Sequence, residues 1–152
     1  PHTIFDSMAA ILESNSLRDR LDSFCRSHKL ESLYVFGSRA DEILKLVSGN
    51  GEPPSTQSSD IDIAVKLPPD RELSARQKAE MAVELEDFLN AGRVDLITLG
   101  DADPFLAVNV IRGERLFFRD AHRIDEYELF VLRRAGDLAP FERERLAMIG
   151  GS

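Results

Sequence analysis

The triplet Asp60-Ile61-Asp62 sets two carboxylates two positions apart in a short apolar run, Asp60 to Val65. In a β-strand successive side chains alternate between faces, so Asp60 and Asp62 share one face and Ile61 and Ile63 the other. An ordinary strand with one solvated face shows the same alternation, and the triplet alone does not separate the two readings. Two considerations favour chemistry. Aspartate is depleted in strands, so a pair costs local propensity. The carboxylates also repel one another unless a cation lies between them. A hard divalent ion, Mg²⁺ or Mn²⁺, takes oxygen ligands of this kind, often one or two carboxylates together with substrate phosphates.

Asp95 supplies a third carboxylate, within the apolar segment Arg93-Val94-Asp95-Leu96-Ile97. If the two strands are neighbours, three carboxylates converge, and a two-metal phosphoryl-transfer site becomes possible. Gly37-Ser38 ends a third apolar run, Leu33 to Phe36, just before a helical pattern. Such a turn aims backbone N–H groups and a helix N-terminus at an anion, and Ser38 adds a hydroxyl donor. By itself Gly-Ser is a plain strand-to-helix turn. No Gly-Lys-Ser/Thr follows at the spacing of a Walker A loop.

These residues need elements to hold them. A first helix is expected from near Asp6, carrying Met8, Ile11 and Leu12, and Ser16 is placed to cap a second with Leu17, Leu21, Phe24 and Cys25 at helical spacing. Strand Leu33–Phe36 precedes a helix over Arg39–Val47. Residues 48–59 read as a Gly/Pro/Ser/Thr loop before strand Asp60–Val65. Glu72–Asn90 is amphipathic and ends at Gly92. Strand Arg93–Leu99, a short helix over 104–112 and strand Glu114–Phe118 follow. Asp120 caps a helix to about Ala135, and Pro140 opens a last one, so 120–149 is helical. The order is an α/β (α+β) fold, a small mixed β-sheet of about four strands with helices packed against it, in a single domain over 1–152. Tyr127, Phe130, Val131 and Leu132 lie on the late helical segment, as core or as a docking face.

The 152 residues carry a formal net charge of −8, without the basic excess of a binder of long nucleic acid. A small or protein substrate fits better. Lone Cys25 excludes an intramolecular disulfide, and His2, His28 and His122 are too scattered for a zinc site. No apolar run reaches the roughly 20 residues of a membrane span, and no signal peptide is visible, so a cytoplasmic protein is expected.

Together, Phe36-Gly37-Ser38-Arg39-Ala40, Ser59-Asp60-Ile61-Asp62-Ile63 and Val94-Asp95-Leu96 resemble the polymerase-β-like nucleotidyltransferase superfamily. The Arg-Ala after Gly-Ser and the Ser before Asp-x-Asp resemble its minimal, MNT-type branch. Arg112-Gly113-Glu114-Arg115-Leu116-Phe117 and Asp120 extend the likeness, which covers roughly residues 17 to 135. Two departures stand out. The spacer from Arg39 to Ser59 is about twice the usual length, with the excess mainly in the 48–59 loop, where insertions are tolerated. Asp41-Glu42 also stand where a glycine commonly follows Arg-Ala.

The resemblance implies that Asp60, Asp62 and Asp95 hold Mg²⁺ or Mn²⁺ and serve catalysis, and that Gly37 and Ser38 hold the terminal phosphates of ATP. Arg39 and Lys66 are candidate phosphate contacts, or plain surface charge. Minimal nucleotidyltransferases resemble antitoxins paired with a HEPN ribonuclease, to a tyrosine of which several add AMP. The leading expectation is therefore protein AMPylation of a HEPN-type toxin. Two alternatives stay open. One is a small-molecule, aminoglycoside-like nucleotidyltransferase, for which the segment after Asp120 is short of a second domain. The other is a non-enzymatic antitoxin acting by contact.

Overall fold

The computed structural model describes residues 16–49 and 59–150, with side chains through Pro140. The helix expected near Asp6 and most of the 48–59 loop lie outside the described residues. In chain order the elements are α1 (Leu17–Ser27), β1 (Ser32–Phe36), α2 (Ala40–Val47), β2 (Ile61–Lys66), α3 (Ala75–Leu89), β3 (Val94–Thr98), α4 (Pro104–Ile111), β4 (Glu114–Phe118) and α5 (Ala121–Gly150). A short 3₁₀ turn, Leu99–Asp101, joins β3 to α4. The expected alternation of helices and strands is present.

Local chemistry sets most boundaries. Ser16 caps α1 by accepting a hydrogen bond from the Asp19 amide at 3.2 Å. Helix α3 starts later than its apolar pattern suggests, because Ser74 and Gln77 form a reciprocal capping box that fixes the first turn. It ends at Asn90 in the left-handed conformation, φ 49°, two residues before the expected Gly92. Asn tolerates that conformation through its short polar side chain. Asp103 caps α4 with Pro104 in the first turn. The end of the chain corrects the sequence reading. Helix α5 runs without a break from Ala121 to Gly150 with Pro140 inside it. A proline there removes one i→i−4 bond, but strong helix formers, Ala, Leu, Glu and Arg, flank it on both sides and carry the helix through.

The sheet order is β3-β2-β1-β4. Strands β2 and β3 are parallel, linked through α3, while β1 is antiparallel to both β2 and β4. One face carries Leu33, Val35, Ile61, Ile63 and Val65, buried with Leu21, Phe24, Ile43, Met81 and Leu85 of α1, α2 and α3. Ile61, Ile63 and Val65 are fully buried, each contributing about 1.5–3 kcal/mol of burial. Cys25 lies in this core, where burial pushes its thiol up, the environment of an inert cysteine. The opposite face carries Tyr34, Phe36 and Ala64 against Ala107, Val108 and Val110 of α4 and Ile124 and Val131 of α5.

On α5 the apolar cluster is divided. Val131 is buried and Tyr127 partly so, whereas Leu129, Phe130 and Leu132 are about half exposed. A polar network fastens this helix to the sheet. Tyr34 donates to Glu128 at 2.8 Å, and Arg115 donates to the same carboxylate at 2.6 Å and to Asp125 at 2.8 Å. Burial, then the Glu128 carboxylate, raises the Tyr34 phenol. Tyr34→Phe is expected to cost about 1 kcal/mol, read as a lower urea midpoint at unchanged slope. An unmoved midpoint would mean that the hydroxyl adds no net stability. Among the described residues no helix is long and apolar enough to cross a membrane.

Candidate active site

The candidate side chains are brought to one region where three strands and one turn come together. Parallel pairing sets Asp62 opposite Asp95, and antiparallel pairing sets Phe36 opposite Asp62. The turn after Phe36 therefore falls beside Asp62. Gly37 there has φ +79°, and a Cβ on it would meet Asp62 Oδ2 at 2.5 Å. Both conformation and space demand glycine. Asp60 immediately precedes β2. Asp60 and Asp95 are exposed and Asp62 is half-buried.

The alternation explains why this face is free for chemistry. Val94 on β3 and Ile61 and Ile63 on β2 point into the core under α1, α2 and α3, which turns Asp62 and Asp95 to the other side. There the carboxylates lie in one another's field. Burial raises the Asp62 carboxyl above its ordinary value, with the charges of Asp95 and Asp60 adding to the effect. An ordinary solvated strand face would hold a carboxylate in water, away from such neighbours.

Gly37 and Ser38 are exposed, and the Ala40 amide donates to the Gly37 carbonyl at 3.3 Å as α2 opens. The first turn of α2 carries Asp41 and Glu42, whose charge opposes an anion at this helix end. Each has a cationic partner. Asp41 pairs with Lys45 at 3.0 Å, and Glu42 accepts from Arg39 Nη2 at 3.0 Å and Nε at 3.2 Å.

Arg39 and Lys66 occupy different surroundings. Arg39 is only 4% exposed, and its Nη1 donates to the Ser59 carbonyl at 3.0 Å. It is not surface charge. Lys66 closes β2, four residues beyond Asp62, about 13 Å away at the usual strand rise. Its ammonium stands 5.1 Å from the centre of the Tyr127 ring. There it lines a cavity of ≈ 780 Å³ with Thr98, Asp101, Tyr127, Phe130 and Arg134, and none of the three aspartates reaches that cavity. Burial pushes the Tyr127 hydroxyl up to about 12. No local pattern marks this cavity, since its walls come from segments scattered along the chain.

Among the described residues, no group of three or more His, Cys, Asp or Glu side chains is already gathered as a metal site. The fit of a divalent cation rests instead on the donor set. Hard oxygen ligands share one face, and a cation there would offset both the burial of the Asp62 carboxylate, the larger cause of its raised carboxyl, and the added repulsion from Asp95 and Asp60. Mg²⁺ needs only one or two protein carboxylates when phosphates complete its shell.

None of the curated proteins matches the chain. Solved structures do. A toxin–antitoxin crystal structure with AMP-PNP is 26% identical, with a TM-score of 0.59 over 87% of this chain and 94% of that one. A mutant MntA–HpeT toxin–antitoxin structure is 24% identical, with a TM-score of 0.61 over 87% and 94%. The tri-AMPylated Shewanella oneidensis HEPN toxin in complex with MNT antitoxin gives 24% identity and a TM-score of 0.58 over 88% and 92%. These likenesses agree with the fold of a four-stranded mixed sheet and its helices. The family described as polymerase beta, nucleotidyltransferase, matches residues 19–122, a span that takes in the Gly37-Ser38 turn and all three aspartates. This chain belongs to the polymerase beta nucleotidyltransferase family.

Proposed function

We propose that the protein is a metal-dependent protein adenylyltransferase, moving AMP from ATP to a tyrosine hydroxyl of a HEPN-type toxin and thereby acting as its antitoxin. The observation that carries this reading is the register of Asp62 against Asp95, with Asp60 two residues ahead and the Gly37 turn packed on the Asp62 carboxylate. The similarity to toxin–antitoxin complexes, one with AMP-PNP and one with a tri-AMPylated toxin, supports the choice of nucleotide and partner.

In this reading Asp60, Asp62 and Asp95 hold Mg²⁺ or Mn²⁺. When bound, the cations supply charge neutralisation of the triphosphate and of the leaving pyrophosphate. Asp95, the most open of the strand carboxylates, orients the acceptor hydroxyl and takes its proton. The exposed Gly37-Ser38 turn offers backbone amides and the Ser38 hydroxyl to the terminal phosphates. Attack at the α-phosphorus forms the new ester bond to the tyrosine oxygen and releases pyrophosphate. A net charge of −8 suits docking on a basic nuclease. The half-exposed Leu129, Phe130 and Leu132 on α5 suit a protein partner rather than a small acceptor. A cytoplasmic setting follows from the ATP requirement.

The test uses ATP labelled at the α or the γ phosphate, with Mg²⁺ and a lysate of the native host, beside Asp60→Asn. Label from the α position on a protein band, absent with Asp60→Asn, is expected. Label confined to a small-molecule fraction would replace the protein acceptor with a small one. No label from either position, with a partner that stays bound to Asp60→Asn, would replace catalysis with inhibition by contact.

A further inference from the structure

We propose that Arg39 is a positioning residue, clamping the starts of β2 and β3 so that Asp60 is set against Asp62 and Asp95, rather than a contact to the triphosphate. The inference rests on the nucleotidyl-transfer reading of the site and names a residue that shapes it without touching substrate.

Among the described residues, three bonds define the clamp. Arg39 Nε and Nη2 grip Glu42 in the first turn of α2, and Nη1 donates to the Ser59 carbonyl, the peptide group that leads directly into Asp60. The other side of the guanidinium is packed against Gly92, just before β3. A Cβ there would meet Arg39 Nη1 at 2.9 Å, and Gly92 has φ +125°. Next to it the two strands are joined backbone to backbone, the Ile61 amide donating to the Arg93 carbonyl at 2.7 Å. One planar group thus meets three segments at the end of the sheet where the carboxylates lie. All three guanidinium nitrogens donate into the protein, and the residue is 4% exposed. That leaves it little surface to offer a phosphate. The fork geometry matters, since an ammonium cannot hold a carboxylate with two bonds and a carbonyl with a third.

Arg39→Lys keeps the charge and removes the fork. We expect kcat for nucleotidyl transfer to fall by about 10- to 100-fold, the scale of a misplacement near 1 Å, while KM for ATP moves less than about threefold, as for an interaction that does not bind substrate. Native-state amide exchange provides a readout independent of activity. The Ile61 amide should exchange about tenfold faster, with amides at the far end of β2 unchanged, as for local opening. A rise in KM for ATP with normal Ile61 exchange would make Arg39 a phosphate contact and overturn the clamp, and so would normal exchange with unchanged kcat. Faster exchange at Ile61 in a protein whose wild type transfers no nucleotide would sink the activity reading and leave the clamp standing. If Arg39→Lys does not fold, Glu42→Gln weakens the same grip and is expected to shift Ile61 exchange in the same direction. Unaltered exchange in that variant would equally count against the clamp.

Discussion

Asp62→Asn is expected to lower kcat for nucleotidyl transfer by at least about 10³-fold and, at neutral pH, to raise the melting temperature. The loss of rate follows from the loss of a proposed metal ligand, and the gain in stability from the surroundings of the carboxyl. In the folded chain, burial and then the charges of Asp95 and Asp60 raise the Asp62 carboxyl, whereas in the unfolded chain it titrates normally. The folded state therefore holds this proton more tightly. Stability is unaffected below the ordinary carboxylate range, and falls as pH climbs from there through the raised folded value, because ionised Asp62 is then disfavoured only in the folded protein. Asparagine removes that penalty. Because Asp62 is partly exposed, the gain is small, up to about 3 °C after allowance for solvent screening. Melting curves of the metal-free protein at pH 7 and near pH 3 check the sign: a gain at pH 7 that vanishes in acid. A loss at pH 7 would make the carboxylate structural, and retained transfer would remove Asp62 from the catalytic set.

The second large effect is expected at Gly37. Gly37→Ala places a Cβ 2.5 Å from Asp62 Oδ2 in a backbone with φ +79°. The left-handed conformation alone costs about 1–2 kcal/mol for alanine, and the clash forces either the turn or the Asp62 side chain to move. With Asp62 holding metal as proposed, its displacement is expected to cost about 100-fold in kcat/KM. Single-turnover kinetics together with urea denaturation separate the two effects. Destabilisation with unimpaired chemistry would show that the turn yields while the carboxylate stays in place, and would reduce Gly37 to a conformational requirement.

Much of this was legible in the residues. The two-residue alternation of Asp60-Ile61-Asp62 gave the face, because Ile61 and Ile63 had to be buried and the aspartates could not be. The strand–turn–helix at Phe36-Gly37-Ser38 was readable for the same reason: a β-rich apolar run stops at a glycine before a helical pattern. What could not be read was pairwise. That β2 and β3 are adjacent, with Asp62 opposite Asp95, is a fact of tertiary register on which local pattern is silent. Arg39 drew notice only as a charge near a phosphate-binding turn. Its burial depends on Glu42, Ser59 and Gly92 arriving from three segments. The unbroken α5 escaped because Pro140 is a strong local stop signal, overridden by the helix formers around it.

The parallel pairing of β2 with β3 also bears on how the protein matures and fails. Parallel neighbours cannot be closed by a hairpin, and here the chain passes through all of α3 before β3 can dock. Contacts between segments so far apart in sequence form slowly. Among the described residues, strand β3 also has a single neighbour, at one edge of the sheet. Asp95 therefore joins the other carboxylates only once this outer strand has zipped on, and it leaves them first if the strand frays. A newly made or heat-stressed chain with its core already formed would be chemically silent until that zipper closes, so competence for transfer reports on completion of the fold rather than on its beginning.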